Sequence, residues 1–366
     1  MPGSSYGSAF RVTTWGESHG DTTGVVVDGC PPGLELSDSD VQEELDRRKP
    51  GQSRLTTQRK ESDRVRIMSG VFQGETLGSP IAMMVENKDA RASDYEDMKD
   101  TYRPSHADMT YDQKYGRRNW MGGGRASARE TVSRVAAGAV ARKWLQEHYD
   151  LEIVAWVRQV NTLELSEDDY DPTSIDRSDV ESNNVRCPDD ELAAEIADRI
   201  KDAQSNGESL GGVVEVVARN CPAGWGEPVF DKLDGKLGHQ YLSIPATKGV
   251  EIGSGFRGTT LTGTSKRVSI SCNRLLCRSA SRWHRSHEHS SPFLKRRFTT
   301  SESTGTDTSP SRETRRSVSA IAICSGVSTT RKRVRAESRS NSSTVPIRSR
   351  IDSILSASLW PPQYAA

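Results

Sequence analysis

Residues 1–263 are predicted to adopt a mixed fold in which strands and helices interleave, α/β or α+β, and residues 264–366 to form an unfolded basic tail. Apolar runs and amphipathic helical segments alternate along the first part, as in domains that pack helices against sheets. The balance of basic and acidic residues also changes near this point, at about residue 258. The first 258 residues carry 31 basic and 44 acidic side chains, whereas the last 108 carry 19 basic, 6 acidic and 24 serines. Such a segment buries too little apolar surface to offset its chain entropy.

The first elements are defined by apolar runs and by turn residues. A short strand is predicted over 10–14 and a buried strand over 25–27. A Pro-Pro-Gly turn then leads to a helix capped near Ser37 or Ser39. Pro50 ends this helix, because proline cannot continue the helical hydrogen-bond ladder.

Later elements follow from the same patterns. Leu192, Ile196 and Ile200 recur at helical spacing and share one face. The predicted elements are strands within 65–72 and 80–87, a helix after the glycines at 122–124, an acidic loop over 165–184, a helix over 191–203 and a strand over 211–218.

Composition excludes several classes of protein. No apolar run reaches 18 residues, and the first residues lack the basic-then-apolar pattern of a signal peptide, so we expect a cytoplasmic protein with no membrane partner. The six cysteines show neither a C-x-x-C pair nor a spacing suited to zinc. We therefore expect no disulfide framework and no bound metal.

The stretch "GESHG" gathers Glu17, Ser18 and His19 between two glycines, Gly16 and Gly20. Glycine adopts positive φ without penalty, so the flanking pair is predicted to aim these side chains where a regular strand could not. Imidazole changes charge near neutral pH, which makes His19 a candidate acid or base. The alternative is a polar turn with no chemical role.

A second candidate is the glycine triplet at 122–124, which leads into a helix. Ser127 and Glu130 stand three residues apart, as in a capping box. A glycine-rich loop at a helix start presents free N–H groups to an anion, and Arg125 and Arg129 add positive charge. The alternative is a well-capped core helix with a flexible entry.

A basic loop and a second histidine complete the candidates. His106 follows Ser105 in "YRPSHAD", where Pro104 disfavours helix at the preceding residue. The loop suits a polyanionic ligand, with a solvated charged face as the alternative. Its basic residues fall within a span of 14: Arg47, Arg48, Lys49, Arg54, Arg59 and Lys60.

Together these motifs resemble the chorismate synthase family over residues 8–263. The shared strings, in the family's order, are "GESHG", "RRKPGQS", "KESD", "YRPSHAD", "GGGRASARET", "GGVVEVVA", "GEPVFDKLD" and "KGVEIGSGF". The resemblance implies a lyase of the shikimate pathway for aromatic amino acid biosynthesis. Its reaction is the anti 1,4-elimination of phosphate from 5-enolpyruvylshikimate 3-phosphate to give chorismate, which needs reduced FMN without net oxidation.

The resemblance also implies roles for individual residues. His19 is expected to act as an acid near the departing phosphate, and His106 to protonate or hold the reduced flavin. The other implied positions contact flavin, phosphate or the NADPH that can reduce the flavin: Arg48 and Arg54 at the nicotinamide or phosphate site, Arg125, Ala126, Ser127, Pro245 and Ala246 at the flavin, and Arg129 at the substrate phosphate.

The fold implied is α+β, a β-α-β sandwich of antiparallel sheets with outer helices, assembled as a homotetramer. Residues 1–263 would form this domain incompletely, because four motifs expected after Gly263 are absent: S-E-x-N-D, N-x-x-G-G-I-x-G-G, K-P-x-x-[ST] and R-[HS]-D-P. We interpret the change near residues 258–265 as a frameshift and expect the chain as printed to be inactive.

Two alternatives stay open at this point. Residues 264–366 could be a natural basic tail that binds a nucleic acid or an acidic partner, although such a gain would not explain the loss of the four motifs. The chain would then be a non-catalytic remnant that binds flavin or another anion, with the tail as an interaction segment. We expect the enzyme instead, acting on a small-molecule substrate without a nucleic-acid partner.

Overall fold

The computed structural model describes residues 3–53, 55, 61–88, 92–166, 170–263 and 317–324. None of the helices in these ranges is long and apolar enough to cross a membrane. The α-helices are α1 (Asp38–Arg48), α2 (Asp108–Tyr115), α3 (Thr131–Tyr149), α4 (Arg177–Glu181), α5 (Asp190–Ser205) and α6 (Leu233–Leu242). Short 3₁₀ helices cover Ala92–Met98, Gly124–Ala126, Ala128–Glu130 and Gly255–Thr259.

Strands form two antiparallel five-stranded sheets and one hairpin. The strands are β1 (Ser5–Tyr6), β2 (Arg11–Gly16), β3 (Thr22–Asp28), β4 (Val65–Ile67), β5 (Val71–Phe72), β6 (Glu75–Thr76), β7 (Ile81–Glu86), β8 (Glu152–Val160), β9 (Leu163–Glu164), β10 (Gly212–Arg219), β11 (Thr247–Ile252) and β12 (Ser317–Cys324). The first sheet has the order β1-β2-β3-β7-β4, the second has the order β11-β12-β10-β8-β9, and β5 pairs with β6.

Helices α1 and α3 cover one face of the first sheet. Val25 and Val27 alternate along β3 toward these helices and are fully buried. Val41 and Leu45 of α1 lie in the same core, where Val132 of α3 is also buried. This packing fixes the N-terminal end of α3, which immediately follows the glycine triplet.

The second sheet is covered on both faces. Leu145, near the end of α3, packs with Leu237 and Tyr241 of α6 against one face. On the opposite face, Trp156 of β8 packs with Val180 of α4. Helix α3 therefore contributes to the cores of both sheets, and a mixed helix-and-sheet fold is confirmed.

Several local predictions differ from the structure. The run at 65–72 forms two strands instead of one, because the chain turns at Gly70 with φ +85°. Within the predicted acidic loop, α4 forms a short helix capped by Asp176, whose side chain accepts from Ser178 N and Asp179 N. Ser37 caps α1 as predicted, and its N–H donates to Asp40 Oδ2 at 2.8 Å.

Strand β12 corrects the prediction of an unfolded tail. Its eight residues lie between β10 and β11 and pair antiparallel with both, with Ala320 opposite Val216 and Ile252. Alternating Val, Ala and Ile residues supply the strand pattern that the surrounding Arg- and Ser-rich sequence obscured. The prediction is therefore wrong for residues 317–324, while residues 264–316 and 325–366 lie outside the described ranges.

We expect Ala320→Pro to lower the free energy of unfolding by about 1 to 3 kcal/mol, since proline removes a ladder N–H from a strand paired on both sides and leaves its acceptor unsatisfied. Ala320→Ser, which keeps the N–H, is the matched control. Urea unfolding followed by circular dichroism measures both variants. Equal stability of the two would show that β12 does not pair in the folded protein.

Candidate active site

Three consecutive glycines form the centre of the candidate site. Gly122, Gly123 and Gly124 have φ of +64°, +83° and +54°, a conformation that side chains disfavour. Ala126 N donates to Gly123 O at 2.9 Å and closes the turn that leads through two 3₁₀ segments into α3. The loop is thus anchored by a helix packed in both cores.

His19 lies against the first of these glycines. A Cβ atom built on Gly122 would overlap the His19 ring and lie 2.7 Å from Ser18 Oγ. Ser18 is buried and donates from Oγ to Gly122 O at 3.2 Å, while its Oγ lies 3.1 Å from His19 Nδ1. This contact holds the Nδ1 edge of the His19 ring on the glycine loop.

His106 lies against the second glycine. A Cβ atom on Gly123 would lie 2.5 Å from His106 Cε1, 3.0 Å from His106 Nε2 and 2.8 Å from Arg103 Nη2. The two histidines predicted from separate motifs therefore lie on adjacent residues of one loop. Glycine is required at both positions because any side chain would occupy the space of an imidazole.

Tyr95 connects the two histidine regions and was missed by the sequence analysis. Its ring meets the His19 ring edge-to-face at 5.0 Å between centroids. Arg103, which borders His106, has its guanidinium carbon 5.7 Å from the same Tyr95 ring. A tyrosine in an acidic run carries no sequence pattern that would identify this role.

The "GESHG" loop is held by two asparagines. Asn87 donates from Nδ2 to Glu17 O at 2.9 Å and to Gly20 O at 2.7 Å, and Asn119 donates to the Glu17 carboxylate. Of the two flanking glycines, only Gly16 has positive φ, at +87°. The prediction for Gly20 is wrong, because that residue closes an ordinary turn through its N–H bond to Glu17 O.

Arg125 fixes the end of β2, from which the His19 loop departs. It donates from Nη1 to Gly16 O at 3.1 Å and from Nη2 to Thr14 Oγ1 at 2.5 Å. Its side chain keeps 22 % exposure. Arg125 therefore holds the end of β2 in place, and its guanidinium is still partly exposed at the surface.

The predicted capping box at Ser127 and Glu130 is not formed. Ser127 Oγ accepts from Arg129 N at 3.3 Å, but the Glu130 carboxylate accepts from Thr14 Oγ1 at 3.1 Å and from Arg134 Nε at 2.8 Å. A 3₁₀ turn over Ala128–Glu130 separates Ser127 from α3, so the spacing required for reciprocal capping is lost.

Arg48 and Arg129 converge on one buried carboxylate. Asp63 is fully buried, with φ +46°, and accepts from Arg48 Nη1 at 2.9 Å and from Arg129 Nη1. The side chains of Arg48 and Arg129 are 8 % and 3 % exposed. Arg129 also donates from Nε to Asn87 Oδ1 at 2.8 Å, which joins this cluster to the His19 loop.

The remaining predicted positions lie at two other places. Pro245 and Ala246 form the turn between α6 and β11, where Ala246 has φ +68°. Arg134 donates to Ser243 Oγ at 2.7 Å and so connects this turn to the start of α3. Arg54 lies outside the described residues.

This arrangement is suited to an enzyme site of the acid–base class. Two imidazoles share one rigid loop, and arginine side chains lie at the strand end and helix start beside it. Proton transfer at such a site requires positioned groups that titrate near neutral pH, which histidine provides.

Comparisons with known proteins agree with this class. A sequence model of the family described as chorismate synthase matches residues 10–282. The chorismate synthase of Trichodesmium erythraeum (strain IMS101) is 55% identical over 273 residues, covering 75% of this chain and 73% of the relative. That of Synechocystis sp. (strain ATCC 27184 / PCC 6803 / Kazusa) is 56% identical over 262 residues, 72% of each chain. A crystal structure of chorismate synthase matches with a TM-score of 0.55 and 33% identity, covering 71% of this chain and 73% of that one.

The chain therefore belongs to the chorismate synthase family and is a lyase of the shikimate pathway of aromatic amino acid biosynthesis. The resemblance stated from the sequence is confirmed. The family model extends to residue 282, beyond residue 263 where the recognised motifs stop.

Proposed function

We propose that the two histidines at the glycine loop perform the proton chemistry of this family in this chain. The reaction is the anti 1,4-elimination that converts 5-enolpyruvylshikimate 3-phosphate to chorismate and phosphate. The observation that carries the proposal is the placement of the His19 and His106 rings on Gly122 and Gly123. A non-catalytic binding module is not favoured, because the reported relatives are chorismate synthases.

His19 is proposed to serve the departing phosphate. In the elimination, the phosphate leaves with the electron pair of its C–O bond while a proton is lost at the other end of the 1,4 system. A protonated His19, with Nδ1–H held on Ser18, presents Nε2–H as the donor to the leaving oxygen. This lowers the charge that develops on phosphate in the transition state.

His106 is proposed to hold and protonate the reduced flavin. The residues fit such a group, since His106 is half-buried beside Arg103 at the glycine loop, where an imidazole and a guanidinium can both donate to a flavin. When bound, reduced FMN would supply an electron-rich ring and undergo no net oxidation. Its other proposed contacts are Arg125, Ala126, Ser127, Pro245 and Ala246.

Positive charge near the loop is proposed to attract the phosphate groups. Arg48, Arg54 and Arg129 are the proposed ligands for substrate phosphate or for NADPH during flavin reduction. Arg48 and Arg129 both donate to Asp63. Arg129 also donates to Asn87, which in turn donates to the His19 loop.

We further propose that the protein acts in the cytoplasm as a homotetramer, as the family resemblance implies. Cys30, Cys187 and Cys221 are buried and free of disulfides, which suits a reducing compartment. Light scattering coupled to size-exclusion chromatography measures the assembly state directly.

We expect His19→Ala and His106→Ala each to lower chorismate formation by about 10²-fold or more, because each removes a positioned proton donor. Anaerobic assays with reduced FMN and 5-enolpyruvylshikimate 3-phosphate measure the rates. His148→Ala is the matched control, since this exposed histidine of α3 stacks on Trp144 outside the site. Wild-type turnover in either site variant removes that histidine from the mechanism.

A further inference from the structure

Asp108, the first residue of α2, lies behind His106 and is only 3 % exposed. Its carboxylate accepts two hydrogen bonds from the Arg103 guanidinium. Nε donates to Oδ2 at 2.8 Å, and Nη2 donates to Oδ1 at 2.9 Å. Arg118 Nη1 lies 3.6 Å from Oδ1. Burial alone raises the pKa of Asp108, but the hydrogen bonds from Arg103 and His106 hold it well below its usual range. The group is therefore an ionised acceptor at neutral pH.

His106 Nδ1 lies between this acceptor and a donor. It is 3.2 Å from Asp108 Oδ1 and 3.2 Å from Arg103 Nη2. If Nδ1 carries a proton it donates to Asp108, and if it does not it accepts from Arg103. The two possibilities correspond to the two neutral tautomers of the ring, and they decide whether Nε2, on the ring edge beside Gly123, carries the lone pair or the proton.

Geometry distinguishes these tautomers. Asp108 Oδ1, Arg103 Nη2 and His106 Nδ1 form a nearly equilateral triangle with sides of 2.9, 3.2 and 3.2 Å. The two N–H bonds of a guanidinium nitrogen diverge by about 120°, so Nη2 cannot aim straight at both neighbours. Its shorter contact is the 2.9 Å bond to Asp108 Oδ1, and His106 Nδ1 lies 3.2 Å from the same oxygen, where a hydrogen bond from His106 contributes to the low pKa of Asp108.

We propose that Asp108 is a positioning residue that holds His106 as the Nδ1–H tautomer, so that Nε2 is the nitrogen that exchanges a proton with the bound ligand. Nε2 belongs to the ring edge that lies against Gly123, where a Cβ would come within 3.0 Å of it. The inference rests on the proposed role of His106. It adds which ring nitrogen acts and which residue selects it.

Nitrogen-15 NMR of histidine-labelled protein tests this without bound flavin, because the two ring nitrogens have distinct shifts in each tautomer. At a pH where the ring is neutral, we expect Nδ1–H in the wild type and a shift toward Nε2–H in Asp108→Asn. Asp112→Asn is the matched control, since Asp112 pairs with Arg118 Nε at 3.1 Å. It should leave the tautomer unchanged.

Asp108→Asn is also expected to lower kcat for chorismate formation by about 10²-fold with little change in KM, as for a misoriented proton donor. An Nε2–H tautomer in the wild type, or an unchanged Nδ1–H tautomer in Asp108→Asn, overturns the inference. The wild-type spectrum suffices even where the variant does not fold. Retained turnover in His106→Ala would instead overturn the proposed function and leave the tautomer result standing.

Discussion

Gly122→Ala is expected to lower chorismate formation by about 10³-fold. The added Cβ would overlap the His19 ring, and the ring cannot retreat freely because Tyr95 packs on it at 5.0 Å between centroids. Displacing a reacting group by about 1 Å costs about 10²-fold. The same substitution strains the backbone beside Gly123 and so disturbs His106. Steady-state assays with reduced FMN measure the loss.

Gly116→Ala separates this effect from backbone strain. Gly116 ends α2 with φ +70°, close to the +64° of Gly122, yet a Cβ there would meet no atom within 4 Å. Both variants therefore carry a similar penalty for a left-handed alanine, about 1 kcal/mol. We expect near-wild-type turnover from Gly116→Ala. Equal activities of the two variants would contradict the role assigned to the glycine loop.

Arg48→Ala is expected to lower the free energy of unfolding by about 3 to 5 kcal/mol, the cost of breaking a buried ion pair. The substitution removes the 2.9 Å bond to Asp63 and two further bonds at 3.2 Å, to Thr131 Oγ1 and Ala128 O. These contacts tie α1 to the start of α3. Urea denaturation followed by circular dichroism gives the change.

The neighbouring Lys49→Ala provides the control for Arg48. Lys49 pairs with Asp46 at 3.1 Å, but both side chains are at least 40 % exposed, and such pairs contribute little. We expect no measurable loss from this substitution. Unchanged stability of Arg48→Ala together with weaker substrate binding would show instead that Arg48 acts mainly as a ligand.

Local sequence motifs predicted the two catalytic candidates, but they did not predict which residues surround them. His19 and His106 could be found because each lies in a short string rich in glycine, proline and polar residues. The sequence could not predict that the two histidines lie on the same loop, since no spacing rule links residue 19 to Gly122 or residue 106 to Gly123. Asn87 was missed for the same reason, because its two bonds to the His19 loop depend on the pairing of β3 with β7.

Burial was the second property that the sequence concealed. A run of arginines near Pro50 indicated an exposed anion site, yet Arg48 is buried against Asp63, to which Arg129 also donates. Only the packing of α1 on α3 reveals this arrangement. The fold class followed from the interleaved pattern, whereas β12 did not, because eight residues within a long polar segment carry little periodic information.

The central claim is that this chain carries out the reaction of its family at the glycine loop. Incubating the folded full-length protein anaerobically with 5-enolpyruvylshikimate 3-phosphate and reduced FMN tests it most directly. We expect chorismate and phosphate to form in equal amounts, and only when reduced FMN is present. This expectation replaces the inactive chain expected from the four motifs missing after Gly263, because His19 and His106 meet at the glycine loop and the reported relatives are chorismate synthases. Failure of the folded protein to form chorismate would contradict the proposed function.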